Sequence, residues 1–264
     1  MTLYAKNAGV IASAKTLYVK QGGVWVPAKQ GYARNGGVWP SFLALPATIA
    51  FQQFTAYTSA TGSSTTLTFA NVPLGPAGAN RCILMIIPHV VGGGSSGLVT
   101  GVTLDGTPMK LHAQVNLALG GSGAGIALAA LKKPTGTTGN VVVTMSGGAG
   151  FWRPNLATYN AQNIQSDDPL QTPLAESQAT ISVSSHTFSH SVKKDGVVIF
   201  GAQFYGNTTN RSMSGLSRDY NNVYGASWEH LGGASAIAAD NAAFPVTVSG
   251  GTTAGWNTIM ASFR

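Results

Sequence analysis

The first forty residues repeat one phrase three times, and that period limits the fold more than anything else in the chain. Tyr4, Tyr18 and Tyr32 are spaced by 14 residues. The second copy reads Leu17-Tyr18-Val19-Lys20-Gln21-Gly22-Gly23-Val24-Trp25 and the third Gly31-Tyr32-Ala33-Arg34-Asn35-Gly36-Gly37-Val38-Trp39. Leu3-Tyr4-Ala5-Lys6-Asn7-Ala8-Gly9-Val10-Ile11 is a degenerate first copy. A fixed period marks a unit that stacks or pairs serially. Each copy sets β-favouring residues on both sides of a Gly-Gly or Asn-Gly centre, which is the signal of a tight hairpin. An isolated hairpin buries too little to stand alone in water, so the repeats are expected to pair with one another or with a partner surface.

The charge is divided in the same way. Residues 1–45 hold Lys6, Lys15, Lys20, Lys29 and Arg34 with no acid, a charge of +5, while residues 46–264 hold ten bases and eight acids, a charge of +2. The basic character therefore belongs to the repeat arm. It reads either as an arm that docks on an acidic surface or as lysines that protect hairpin edges from aggregation; nucleic acid is the weaker partner. Only 9% of the chain is charged against 44% hydrophobic, with 34 glycines. That profile excludes disorder and points to a β-rich protein with many turns and a polar, uncharged surface. So little charge is a solubility risk for a free monomer, which favours a subunit of a larger assembly.

Beyond Leu45-Pro46, short apolar or alternating runs are separated by Gly, Pro, Ser and Asn clusters. Strands are expected at Thr65–Ala70, Arg81–Pro88, Val99–Leu104, Ile126–Leu131, Val141–Met145, Leu156–Asn160, Thr180–Ser184, Gly196–Gln203, Val246–Val248 and Asn257–Phe263. No 3.6-residue period is sustained long enough for a substantial helix. The expected fold class is all-β: a β-hairpin repeat arm over 1–45, then one antiparallel jelly-roll-like β-sandwich over 46–264. Gly92–Gly97, Gly120–Gly125 and Gly206–Gly233 read as its long end loops. Cys82, within an apolar run, reads as a core residue with no partner for a disulfide. No apolar run is long enough for a membrane span, and the first residues do not show a signal peptide.

Tyr-x-Lys-x-Gly-Gly-Val-Trp at Tyr18–Trp25, with Arg34 replacing Lys at Tyr32–Trp39, resembles short repeats near the ends of tailed-bacteriophage virion proteins. The remainder is similar to a jelly-roll module of such proteins. The resemblance rests on the strand after Ala79-Asn80-Arg81, the Val102–Met109 hairpin around Asp105-Gly106, Ala157-Thr158-Tyr159-Asn160 followed by Asp167-Asp168-Pro169-Leu170, and the closing strand Thr258–Phe263. It implies a non-enzymatic subunit of a virion, of fibre or tail-tip type, made in the host cytoplasm. It implies attachment to other virion proteins through the arm, with Tyr4, Tyr18, Lys20, Trp25, Tyr32, Arg34 and Trp39 as anchoring residues. A homo-oligomer is expected, a trimer by analogy with phage fibres. A capsid or tail decoration protein without a receptor role is the alternative, and a glycan-degrading enzyme a more distant one.

Motifs for chemistry are sparse, and no cofactor is implied. Gly93-Gly94-Ser95-Ser96-Gly97 matches the nucleophile elbow in letters, but β-like residues follow it where that chemistry needs a helix. His186 and His190 are four apart in a strand-like run, about 13 Å along a strand, too far to share one metal easily. Asp167-Asp168 before Pro169 reads as turn chemistry. Among the eight acids, Asp219 with Glu229 is the pair to test for a glycosidase. The richest stretch holds Tyr205, Asn207, Arg211, Asp219, Tyr220, Tyr224 and Trp228, expected on long loops. Aromatic faces beside planar hydrogen-bonding groups suit a host-surface polysaccharide, and the same residues equally suit a packed subunit interface.

Overall fold

A computed structural model describes residues 18–21, 24–27, 45–56, 65–91, 97–119, 122–146, 152–179, 184–206, 210–224, 227–251 and 253–264. The chain divides into two compact units, Met1–Leu45 and Pro46–Arg264. In the first, β1 (Tyr18–Gln21) and β2 (Val24–Pro27) pair antiparallel with Gln21 opposite Val24, the hairpin expected of the second repeat. The first and third repeats lie outside the described residues.

The second unit opens with β3 (Thr48–Ala56), β4 (Thr66–Pro73), β5 (Cys82–Val91), β6 (Val99–Leu104), β7 (Thr107–Pro108), β8 (Lys110–Leu119), β9 (Ser122–Lys132), β10 (Thr138–Met145) and β11 (Trp152–Gln162). They form two antiparallel sheets, ordered β3-β11-β5-β9-β8 and β4-β10-β6-β7. Asp105 and Gly106 have φ of 50° and 77°, the positive values that the Asp-Gly turn between β6 and β7 requires. The chain continues through β12 (Leu174–Ala179), β13 (Ser185–Val192), β14 (Val197–Gly206), β15 (Ser212–Ser214), β16 (Tyr220–Tyr224), β17 (Trp228–Ala236), β18 (Asn241–Ser249) and β19 (Thr253–Phe263). These again give two sheets, β12-β19-β14-β17-β16 and β13-β18-β15.

The two strand orders are the same. Matching β3, β4, β5, β6, β8, β9, β10 and β11 in turn with β12 to β19 converts each sheet of the first set into one of the second, with only the short β7 left over. Residues 46–264 are therefore the antiparallel β-sandwich body expected from the sequence, built as two copies of one jelly-roll-like strand order. In each copy the first, eighth, third and sixth strands share the larger sheet, and the fifth extends it.

The copies pack through their larger sheets, giving four layers. The apolar run of β5 faces two ways because side chains alternate along a strand. Ile83, Met85 and Ile87 meet Leu67, Phe69, Val102, Val141 and Val143 of the first outer sheet. Cys82, Leu84 and Ile86 meet Val197, Ile199, Ile259, Ala261 and Phe263 of the second copy. A third core sets Val198, Phe200, Trp256 and Met260 against Phe188, Val246 and Val248. Both inner sheets are thus covered on both faces, which explains why β5 and β14 are apolar without alternation.

The copies also meet at their edges. Edge strand β8 lies over β12, while β3 lies over β16 and β17, with Tyr220 of β16 stacked on Phe51 and Phe54 of β3. At the centre, Gly201, fifth in β14, faces Ile86, fifth in β5. A Cβ at Gly201 would lie 2.6 Å from Ile86 Cγ2. A knob from one copy fills the hole left by its counterpart in the other.

Several expected loops are strands. Gly120–Gly125 runs into β9, which begins at Ser122, and Gly206–Gly233 contains β15, β16 and most of β17. Of the strand expected at Thr180–Ser184, residues 180–183 lie outside the described residues, and β13 begins at Ser185. Polar strands such as β12 and β16 carry too little apolar alternation to be found by pattern.

Candidate functional site

Three buried polar clusters stand out from the apolar cores. In the first sandwich, the Arg81 guanidinium is fully buried between β4 and β5. It donates to the carbonyls of Lys133 (2.5 Å), Gly75 (3.1 Å), Pro76 (3.1 Å), Gly136 (2.7 Å) and Thr135 (2.5 Å). A planar fork of N–H donors closes two turns that no sheet ladder reaches.

In the second sandwich, Arg211 and Glu229 form a buried ion pair. Arg211 also donates its backbone N–H to Glu229 (2.7 Å) and lays its guanidinium over Phe204, 4.7 Å from the ring centre. Beside it, a cavity with room for about one water is bordered by Ser184, Ser185, His186, Phe204, Arg211 and Trp256. His186 packs between Phe188 and Trp256, at 4.6 and 4.8 Å.

The third cluster joins the sandwiches. Asn257 Nδ2 donates to Gln203 Oε1 (3.2 Å) and to the Ala124 carbonyl across the interface (3.3 Å). Gln203 Nε2 donates to the His89 carbonyl of the first sandwich (3.1 Å) and to His230 Nε2 (2.9 Å). Pro154, opposite His89 in β11, has no N–H to offer that strand. The Asn155 amide of the first sandwich meets His230 Nδ1 at 2.9 Å. Asn155 and Asn257 occupy corresponding places, each two residues before an interface residue, Ala157 or Ile259.

The residues singled out in the sequence are distributed among these structural roles. Arg211, Tyr220 and Trp228 are buried rather than on loops, with Tyr220 only 7% exposed. Trp228 packs on Tyr205 with ring centres 4.7 Å apart, over Val90 and Ala124. Asp219 accepts the Ala234 backbone N–H (3.0 Å), and burial raises its carboxyl above the ordinary range. Asn207 lies outside the described residues, and only the backbone of Tyr224 is described. Of the arm residues, Tyr4, Tyr32, Arg34 and Trp39 lie outside the described residues, and Tyr18, Lys20 and Trp25 are described in backbone only.

The carboxylates suggested for glycosidase chemistry do not converge. Glu229 faces the outer sheet with Arg211, whereas Asp219 faces Tyr159 of the first sandwich, on the other side of its own sheet. Two acids on opposite faces of a sheet cannot flank one sugar. Asp167 and Asp168 both pair with Lys110, at 2.8 and 2.9 Å, and tie the inter-sandwich linker to β8. His186 and His190 share the inward face of β13, as their spacing indicated. Burial pushes the Cys82 thiol up to about 12, which leaves it un-ionised and inert. The residues after Gly97 form strand β6, so no helix follows the Gly-x-Ser-x-Gly sequence; Ser95 and Ser96 lie outside the described residues. Among the described residues, no cluster of three or more His, Cys, Asp or Glu side chains could hold a metal, and no helix is long and apolar enough to cross a membrane.

Partners far apart in sequence explain why these clusters were not read from it. Arg211 and Glu229 are 18 residues apart, Gln203 and Asn257 54, Gln203 and His89 114. No family model, no curated protein and no solved structure matches the chain.

Proposed function

We propose that this chain is a non-enzymatic structural subunit of a tailed-bacteriophage particle, held to other particle proteins by its repeat arm. The observation that carries this reading is the Tyr-x-Lys/Arg-x-Gly-Gly-Val-Trp phrase, written twice after a degenerate first copy, with β1 and β2 pairing in the copy at Tyr18–Trp25. A hairpin of this size gains stability by adding to a partner. The +5 charge of the arm, against +2 for the rest, suits an acidic docking surface. The body contributes a stiff four-layer mass in which the buried ionic and amide groups are engaged in holding sheets and turns together.

Between a receptor-binding fibre and a decoration subunit, burial favours the decoration reading. Arg211, Tyr220 and Trp228 are spent inside the body, where a glycan does not reach. Tyr205 and Tyr224 carry what remains of the receptor reading. Deleting residues 1–45 should leave the sandwiches folded and remove the protein from purified particles; normal incorporation of the truncated chain would refute arm anchoring. Trp25→Ala with Trp39→Ala should weaken incorporation most among paired changes in the arm. Tyr205→Ala with Tyr224→Ala should leave cell binding by intact particles unchanged, and loss of binding would restore the receptor role.

A further inference from the structure

We propose that the cluster around His230 is an acid-labile joint: a proton on this imidazole parts the two inner sheets before either sandwich loses its own core.

The hydrogen bonds dictate the tautomer. Gln203 Nε2 is a donor, because the same amide accepts from Asn257 at Oε1 and faces the His89 carbonyl with its nitrogen. His230 Nε2 must then accept, so the ring proton sits on Nδ1. There it needs an acceptor, which the Asn155 amide supplies through its oxygen after the half-turn that exchanges its two ends. A second ring proton would point at the Gln203 amide N–H. Turning Gln203 to accept it would set Oε1 against the His89 carbonyl and leave Asn257 without its acceptor. Protonation therefore disrupts bonds on both sides of the interface.

His89 behaves differently. Its two ring nitrogens lie 3.3 Å from the Ile87 carbonyl and 3.1 Å from the Gly97 carbonyl, so an imidazolium there would find an acceptor at each end. That ring also belongs to the interior of the first sandwich, on the Gly97 side, and not to the joint.

Around the His230 ring, β14 contributes neutral Gln203, β11 neutral Asn155 and β19 neutral Asn257, while β5 and β9 contribute the His89 and Ala124 carbonyls. Arg211 and Glu229 pair on the opposite face of the sheet, and His89 is the titratable group whose charge acts on the ring. No carboxylate among the described residues faces the ring to stabilise a cation.

Burial first, then the neighbouring His89, lowers the His230 pKa to about 3. A solvated histidine titrates near 6.5. A group that binds its proton less readily when the joint is closed favours opening as pH falls. The contribution of His230 to closure is full above about 6.5, declines through the window below it and is gone below about 3. Each sandwich has a core of its own between its inner and outer sheets, so the joint can open with both sandwiches intact.

The test uses the full chain. After equilibration at steps from pH 7 to 3, amide exchange is pulsed at one fixed pH, and binding of a dye specific for exposed apolar surface is followed in parallel. As the pH falls, the dye should bind and the Tyr220 ring should lose its proton–proton contacts with Phe51 and Phe54 while amides of β14, β17, β10 and β18 are still protected by their own ladders. His230→Gln should lower the midpoint of that first step by one pH unit or more, and His89→Gln should shift it less. Dye binding that begins only at the pH where all four strands lose protection overturns the proposal. So does an unchanged midpoint in His230→Gln, or an equal or larger shift in His89→Gln. Nitrogen NMR of the wild-type imidazoles gives a result independent of the variants. His230 should stay neutral with its proton on Nδ1 until the joint opens; titration near pH 6.5 with the contacts of Tyr220 to Phe51 and Phe54 still in place would also overturn it.

Discussion

The two sandwiches share one strand order and fasten it by different means. In the first, the connection from β4 to β5 is long, and Arg81 ties it to the β9–β10 connection by donating to two carbonyls of the one and three of the other. In the second, the corresponding connection is a tight turn, Lys193-Lys194-Asp195-Gly196, with positive φ at Asp195. The second copy instead places its buried arginine on the stretch leading to β15, paired with Glu229. The fold is thus carried by the order of strands and their apolar inward faces. The buried charges are local solutions, each tied to the length and path of one connection.

That contrast can be broken by substitution, most severely at Arg81. Arg81→Met keeps the apolar stem and removes every donor. Each buried carbonyl left without a donor costs about 1–3 kcal/mol, so a combined loss of about 4 kcal/mol or more is expected in urea denaturation. A loss below about 1 kcal/mol would mean that water satisfies these turns. Glu229→Gln should cost about 3–5 kcal/mol by leaving Arg211 buried without its counter-charge. Arg211→Met with Glu229→Leu should recover most of that loss, since a buried pair is worth little over well-packed apolar residues.

A smaller effect is expected where the copies meet. Gly201→Val should cost about 1–3 kcal/mol by forcing a side chain against Ile86. Adding Ile86→Ala should recover part of it, because the knob and the hole would have changed sides. Simple additivity of the two changes would show that the residues do not touch. Smallest of all is Lys110→Ala. The ammonium group that holds Asp167 and Asp168 is exposed and screened, so no measurable change in unfolding midpoint is expected.

The sequence announced the strands whose side chains are apolar on one or both faces. β5, β6, β10, β14 and β19 lie where Ile, Val and Phe runs placed them, with ends extended by a few residues. β12 stayed hidden because nearly all of Leu174–Ala179 is exposed, which leaves no pattern to read. β16 and β17 stayed hidden because Glu229 and His230 look like loop residues until their partners are known. The 14-residue period of the arm was plain, whereas the much longer repeat of the body was not. Its traces are Thr144-Met145-Ser146-Gly147-Gly148 with Asn155, against Thr247-Val248-Ser249-Gly250-Gly251 with Asn257. Core positions have diverged in complementary pairs such as Ile86 and Gly201, so residue-by-residue likeness fades while strand order persists.

The pairing of two like sandwiches through their inner sheets is tested most directly by proton–proton contacts in solution. Nuclear Overhauser effects would be measured on the full chain with labelled isoleucine methyls, glycine and aromatic rings. The Ile86 methyl should show a cross-peak to the Gly201 α-protons, and the Tyr220 ring should show cross-peaks to Phe51 and Phe54, whose ring centres lie 6.0 and 4.8 Å away. Absence of both sets, in a sample whose contacts within each sandwich are intact, would contradict the four-layer arrangement.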